Sequence, residues 1–292
     1  MGDDLIIMVA PSIPAAVARD LRSPRALRGP ALDLSPEGIA REVVRAWNAG
    51  ASIVHLHVWD ERGLPSSEAS AFERTVQLIR AQCDIIIEGS TGGTHDSSLE
   101  GRSVALQTDV EMATLNTGTV NWGDTVYRNS PDDIAYWAQE MQRRGIKPDL
   151  AAFEIGMVAN SLDLVAKGWV EPPLFYTFIL GQAGVMPATA RNLLHLSEAL
   201  PPGAAWSAAG HGGHDLRVAA MAVTMGGHAR VGFEDNPYYR PGEPATSNAQ
   251  LVERVVRVAH EVGRRVVTPA EVRAQLGVAR PGRATAPDAS QA

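Results

Sequence analysis

Eight short apolar runs recur along the 292-residue sequence, and this alternation constrains the fold more than any other feature. The runs are Leu5–Ala10, Ile53–Val58, Ile85–Glu88, Met112–Leu115, Leu150–Phe153, Leu174–Ile179, Ala205–Ala208 and Ala229–Phe233. Amphipathic stretches lie between them. In Ser35–Ala49, Ser35 can cap and Pro36 takes the first helical position. Ile39, Val43, Val44 and Trp47 then recur at helical spacing until Gly50 ends the pattern. Ser247–Val262 carries a stripe of Leu251, Val252, Val255, Val256, Ala259 and Val262, stopped by Gly263. Apolar strands alternating with helices predict a parallel sheet covered by helices. Eight such units in under 300 residues predict an α/β fold of the (β/α)8 TIM-barrel type. A doubly wound open sheet would want a Gly-rich phosphate turn after its first strand, and "MVAPSIPA" has none.

No linker divides the chain. Residues 1–279 are predicted to form a single barrel, with Thr268–Leu276 as a short C-terminal helix outside it. Residues 280–292, "RPGRATAPDASQA", are small, polar and Pro-containing and read as a disordered tail. A net charge of -7, with no long Lys/Arg run, argues against nucleic-acid binding. Cys83 is the only cysteine, which excludes an internal disulfide and a Cys-based zinc site. "MGDDLIIMVAPS" lacks the basic start of a signal peptide, and no apolar stretch approaches the ~20 residues of a membrane span. The expectation is a soluble cytoplasmic protein.

Polar residues gather at the C-terminal ends of the strands, where barrels of this kind build their active sites. The second strand ends in His55, His57 and Asp60. The third runs through Glu88 into "GSTGG", and the fourth into "TLNTGTVNWGD", which holds Thr114 and Asn116. The fifth reaches Glu154, the sixth enters "LGQAGVMP" with Gly181 and Gly184, and the eighth is "RVGFEDN". Residues two apart on a strand point the same way, so His55 and His57 share a face and offer a two-point chelate for a divalent metal. Strands two and eight both flank strand one in a closed barrel. Glu234 can therefore complete a His2Glu site from across the mouth, with His211 and His214 as rival third ligands. Arg230 lies four residues before Glu234 on the same face, either as its ion-pair partner or as part of the site. If strand eight continues, Asp235 points away from Glu234; if the backbone bends there, Asp235 can serve as a base. The Ser90–Thr91–Gly92–Gly93 turn can hold an oxyanion or carboxylate, or be an ordinary βα turn. Glu154 is either catalytic or paired with a nearby cation. Gly181 and Gly184 mark either a loop that passes close to a ligand or a plain turn.

The segments "GASIVHLHVWD", "IIIEGSTGG", "EMATLNTGTVNWGD", "AAFEIGMV", "LGQAGVMPATARNL" and "GGHARVGFEDNPYYRPGEPATSNAQLVERV" together resemble the β-keto acid cleavage enzymes, from about Leu5 to Leu276. The resemblance implies a zinc-dependent barrel, homotetrameric in other members, that condenses a β-keto acid with acetyl-CoA. Acetoacetate leaves, and the remainder of the substrate departs as a CoA thioester. It also implies that His55, His57 and Glu234 are the zinc ligands. Ser90, Thr114 and Asn116 would bind substrate, Arg230 and Asp235 would handle the substrate and its proton, and Glu154 would match a family glutamate. Gly181 and Gly184 fall where the acetyl-CoA would pass. Two positions depart from the common pattern: Trp59 stands where members often carry arginine, and His211 where an arginine is common. The enzymes acting on an amino substrate carry a glutamate near strand one. The matching Ser12-Ile13-Pro14-Ala15-Ala16 has no acid, so the expected substrate has an uncharged or apolar tail, with Trp59 helping to set it.

Rival readings are separable. An amidohydrolase-type barrel places its His-x-His on strand one, with further histidines on strands five and six. A metal-dependent aldolase or lyase would not need acetyl-CoA. A catalytically silent binding barrel would turn over no β-keto acid even with zinc loaded.

Overall fold

The computed structural model describes residues 3–12, 33–59, 66, 68–92 and 98–280. Asp60, Gly93, the stretch 13–16 and the tail beyond Arg280 lie outside the described residues. Eight parallel strands close a barrel in chain order: β1 (Ile7–Val9), β2 (Ile53–Leu56), β3 (Ile86–Gly89), β4 (Met112–Asn116), β5 (Lys147–Ala152), β6 (Phe175–Leu180), β7 (Ala205–Gly210) and β8 (His228–Val231). β8 closes on β1, with Ala229 opposite Ile7 and Val231 opposite Val9. The helices are α1 (Pro36–Asn48), α2 (Ala69–Arg80), α3 (Leu99–Arg102), α4 (Pro131–Arg144), α5 (Ile155–Ala166), α6 (Ala190–Glu198), α7 (Asp215–Thr224), α8 (Asn248–Glu261) and α9 (Pro269–Leu276). The cap predicted at Ser35 is made, and two further helices are capped in the same way. Ser35 Oγ accepts from Gly38 N, Ser247 Oγ accepts from Gln250 N, and Thr268 forms a capping box with Glu271. None of the helices among the described residues is long and apolar enough to cross a membrane.

One predicted strand is divided. In Leu5–Ala10, Asp4 and Leu5 leave the barrel and pair in parallel with Arg265 and Val266. The reason is a side chain inserted into the ladder: Ile6 N donates to His228 Nδ1 at 3.1 Å. β8 is also shorter than the apolar run. It stops at Val231, because Gly232 turns with φ 149°, and a methyl group there would lie 2.2 Å from Ala10 O.

The barrel interior is layered, as the two-residue period of a strand requires. Met8, Ile53, Ile86, Met112, Phe175 and Ala205 form an apolar floor, sealed below by Val272 and Leu276 of α9. Two residues further along, the same face turns polar. His55, Glu88, Thr114, Asp149, Thr177, Ser207 and Arg230 are all buried there. The alternate residues, such as Val54, Leu56, Ile87, Leu115, Leu150, Phe178 and Ala208, pack outward with the helices into the main core. Buried polar groups are costly unless paired, so this middle layer marks where the fold is committed to something other than stability.

Candidate functional site

β2 delivers His55, and the extended chain beyond Leu56 delivers His57 on the same side. Their Nε2 atoms approach to 3.2 Å. Glu234 reaches across from the turn after β8. Its Oε1 lies 3.6 Å from His55 Nε2, and its Oε2 lies 3.6 Å from His57 Nε2. Among the described residues, these three form the group whose donor atoms could hold a metal, all within 4.8 Å of one another.

The donor set fits zinc. Two ligand atoms on a tetrahedral zinc with bonds near 2.05 Å stand about 3.3 Å apart, close to the spacings here. Burial, reinforced by Arg230, holds His55 well below the usual imidazole range, so its ring is neutral, as a ligand must be. Burial would raise Glu234, but His55, Arg230 and His57 hold it well below the usual carboxylate range. Glu234 Oε2 is buried without a hydrogen-bond partner among the described residues. A buried, ionised, unpartnered oxygen facing two imidazoles is what a cation would satisfy.

Behind the ligands lies support that strand spacing alone did not reveal. His55 Nδ1–H donates to Glu88 Oε1 at 2.6 Å, which fixes the tautomer and turns Nε2 toward the site. Glu88 and Asp149 are both fully buried, and each contacts the other. Burial, then Asp149, pushes Glu88 well above the usual range, and burial pushes Asp149 up to about 6. Among the described residues each keeps one oxygen without a hydrogen-bond partner, Glu88 Oε2 and Asp149 Oδ1, and one proton shared between the carboxyls would satisfy both. Thr177 Oγ1 donates to Asp149 Oδ2 at 2.6 Å and lies 2.8 Å from Ser207 Oγ, extending the network across the barrel. Glu88→Gln should therefore keep the fold and weaken metal binding about 10–100-fold, measured by competition with a chromophoric chelator.

Arg230, on β8, organises the carboxylates. Its Nε donates to Asp235 Oδ2 at 3.0 Å, and its terminal nitrogen donates to Asp235 Oδ1 at 3.0 Å and Glu234 Oε1 at 2.8 Å. Burial alone would lower Arg230, but Asp235 and Glu234 hold it protonated. Both acids face Arg230 because the chain bends at Gly232, the alternative that strand periodicity left open. His211 Nε2 lies 3.1 Å from Asp235 Oδ1. His211 is thus a partner of Asp235 and not a third ligand beside His55 and His57. Burial would raise Asp235, but Arg230 and His211 hold it below the usual range.

The other expected residues divide. Thr91 N donates to Thr114 Oγ1 at 3.0 Å, and Thr91 Oγ1 donates to Thr114 O at 2.7 Å, which ties the Ser90 turn to β4. Asn116 Nδ2 donates to Thr91 Oγ1 at 3.4 Å. Trp59 is buried, its ring 6.0 Å from that of His57, with Nε1 lacking a partner among the described residues. Glu154 caps α5, accepting from Gly156 N at 2.9 Å, and the structure does not draw it into the metal group. Gly181 (φ 90°) and Gly184 (φ 95°) have packing reasons of their own. A methyl group on Gly181 would meet His211 O at 3.1 Å, and one on Gly184 would meet Asn121 O at 2.3 Å. Tyr127 and Arg102 were not anticipated. Tyr127 belongs to a hairpin of Val120–Trp122 and Thr125–Tyr127, and Arg102, at the end of α3, donates to Thr91 O at 2.9 Å with its guanidinium 5.3 Å from the Tyr127 ring centroid.

Comparison with known proteins places the chain in a family. The sequence profile of the beta-keto acid cleavage enzyme family matches residues 23–278. A 3-keto-5-aminohexanoate cleavage enzyme of Fusobacterium nucleatum is 41% identical over 251 residues, covering 85% of this chain and 92% of that protein. A 3-oxoadipate:acetyl-CoA acetyltransferase of Cupriavidus necator is 36% identical over 260 residues, covering 87% and 91%. Among solved structures, a ternary complex of ObcA with a C4-CoA adduct and oxalate superposes with a TM-score of 0.70 at 20% identity, covering 84% of this chain and 67% of that one. That likeness bears on the fold alone.

Proposed function

Because the chain belongs to the β-keto acid cleavage enzyme family and is an enzyme that cleaves carbon–carbon bonds, we propose that it condenses a β-keto acid with acetyl-CoA in a zinc-dependent reaction. The acid RCOCH2COO− and CH3CO–SCoA become CH3COCH2COO− and RCO–SCoA. The new carbon–carbon bond joins the substrate's α-carbon to the acetyl carbonyl, CoA moves within the adduct, and the bond to RCO breaks. The observation that carries this reading is the convergence of His55, His57 and Glu234 donors within 4.8 Å, beside the Arg230–Asp235 pair.

The residues divide the work. His55, His57 and Glu234 hold the metal, and Glu88 orients His55. Ser90, Thr114 and Asn116 bind and orient the substrate. Asp235 takes the α-proton, with Arg230 and His211 fixing its carboxylate. When bound, zinc would supply the Lewis acidity that brings an α-proton within reach of a carboxylate held this acidic. Gly181 and Gly184 shape the loop along which acetyl-CoA lies, and Glu154 acts from the start of α5. The unit is residues 1–279 as one barrel, working in the cytoplasm as a homotetramer, with residues 280–292 outside it. The activities named for the relatives support the proposed reaction.

The tail of the substrate is uncharged or apolar. Trp59 supports this, as it packs a buried indole against His57 where a charged group would otherwise stand. The test is a panel of β-keto acids with acetyl-CoA, scored for acetoacetate. Aliphatic 3-oxo acids should be turned over best. Preference for a cationic acid would overturn the tail assignment, and turnover independent of acetyl-CoA would overturn the reaction.

A further inference from the structure

Resting on that reading, we propose that Asn248 is a positioning residue for the metal ligand Glu234, its side-chain amide replacing the strand pairing that the chain gives up at Gly232. Glu234 and Asp235 lie past the end of β8. In an unbroken parallel ladder, a residue whose N–H takes Val231 O receives the N–H of Phe233 on its own carbonyl. Ala10 N does donate to Val231 O, at 3.0 Å, but Ala10 O receives Glu234 N, at 3.1 Å. One extra residue has entered the strand, a bulge that re-aims the side chains after it. The displaced donor is Phe233 N, which is buried and needs an acceptor. It donates to Asn248 Oδ1 at 3.0 Å.

Asn248 is itself fully buried, at the first position of α8. Its Nδ2 donates to Pro11 O at 3.1 Å and to Glu42 Oε2 at 3.0 Å. The amide therefore spends both hydrogens and its oxygen, and ties the ligand turn to the chain after β1 and to α1. Glu42 Oε2 also accepts Asn248 N at 3.1 Å, a donor that the first turn of α8 leaves without a helical partner. The far side of the turn is gripped by the same helix. Asn236 Nδ2 donates to Asp215 Oδ1 at 2.7 Å, and Asp215 pairs with Arg254 of α8. The residues on both sides of Glu234 and Asp235 are thus fixed to α8. Strand pairing places His55, but the third ligand stands on a turn, with its oxygens 3.6 Å from both imidazoles. A loosened turn changes both spacings at once, and a site held loosely binds poorly.

The test measures zinc affinity, by competition with a chromophoric chelator, for metal-free wild type and three variants kept below their melting temperatures. Asn248→Ala removes the amide and should weaken zinc binding at least about tenfold. Glu42→Ala removes only the group behind the amide. It should also weaken binding, and it decides the matter if Asn248→Ala loses its fold. Val255→Ala deletes apolar bulk buried on the same helix, from a side chain that makes no hydrogen bond. It should lower the melting temperature and leave zinc affinity at the wild-type value. Wild-type affinity in both Asn248→Ala and Glu42→Ala would overturn the assignment. Equal losses in all three variants would overturn it too, because they would reduce the effect to general stability. A wild type that binds no zinc would overturn the metal site and this role with it. A wild type that binds zinc yet converts no β-keto acid would instead overturn the proposed reaction, and the affinities would still judge Asn248.

Discussion

His55→Ala should leave the protein without its metal. Wild-type protein equilibrated with zinc and then desalted should carry about one ion per chain, and the variant only background. His55 stands at a junction: Nε2 faces His57 and Glu234, and Nδ1 donates to Glu88. Its loss removes one of three donors and leaves Glu88 without the group it orients. Turnover should fall by about a thousandfold or more, because Lewis-acid stabilisation is worth several kcal/mol of barrier. Full zinc occupancy in the variant, measured by plasma emission, would sink the ligand assignment whatever its activity.

Asp235→Asn should have the second largest effect, of a different kind. Asp235 accepts on both oxygens, Oδ2 from Arg230 and Oδ1 from Arg230 and His211. Asparagine has one oxygen, so its amide NH2 must face a donor. The side chain is also no longer a base. Activity should drop about 10²–10⁴-fold while zinc content stays at the wild-type level. Stability should fall by about 1–3 kcal/mol, visible as an earlier urea midpoint, since Glu234 still partners Arg230. A variant that keeps near wild-type turnover would remove Asp235 from the proton step. Read side by side, the two substitutions separate metal binding from proton transfer.

The barrel was legible because each strand is a short apolar run and helices such as α1 and α8 carry a cap and an apolar stripe, signals that depend only on neighbouring residues. The metal group was legible for a similar reason. A two-residue spacing puts His55 and His57 on one face, and closure puts β8 within reach of β2. What stayed hidden depends on register. Glu88 lies opposite His55, and Asp149 opposite Thr114, only once the strands are aligned. Two acids buried in apolar strands were the available signal, since such acids need partners. Periodicity could not settle Asp235, because the bend at Gly232 overrides alternation. Nor could it foresee that Ile6 would spend its N–H on His228 and divide the first strand. Glu154 followed a strand and preceded Gly156, a pattern that a helix cap explains as well as catalysis does. Tyr127 was hidden because its hairpin folds back over the mouth, a contact that no local spacing encodes.

The small ribbon beneath the barrel has a bearing on how the molecule comes to exist. Asp4 pairs with Arg265, and β1 cannot be enclosed until β8 arrives, with Ile7 beside Ala229. During synthesis, the first strand waits until His228–Val231 has left the ribosome before it gains its second neighbour. Contacts this distant in sequence are the slow ones to form. Until then Ile7, Met8 and Val9 present an open sheet edge, the kind of surface on which nascent chains associate. Closure is therefore a late event in biogenesis, and chaperone dependence should centre on the interval before β8 emerges.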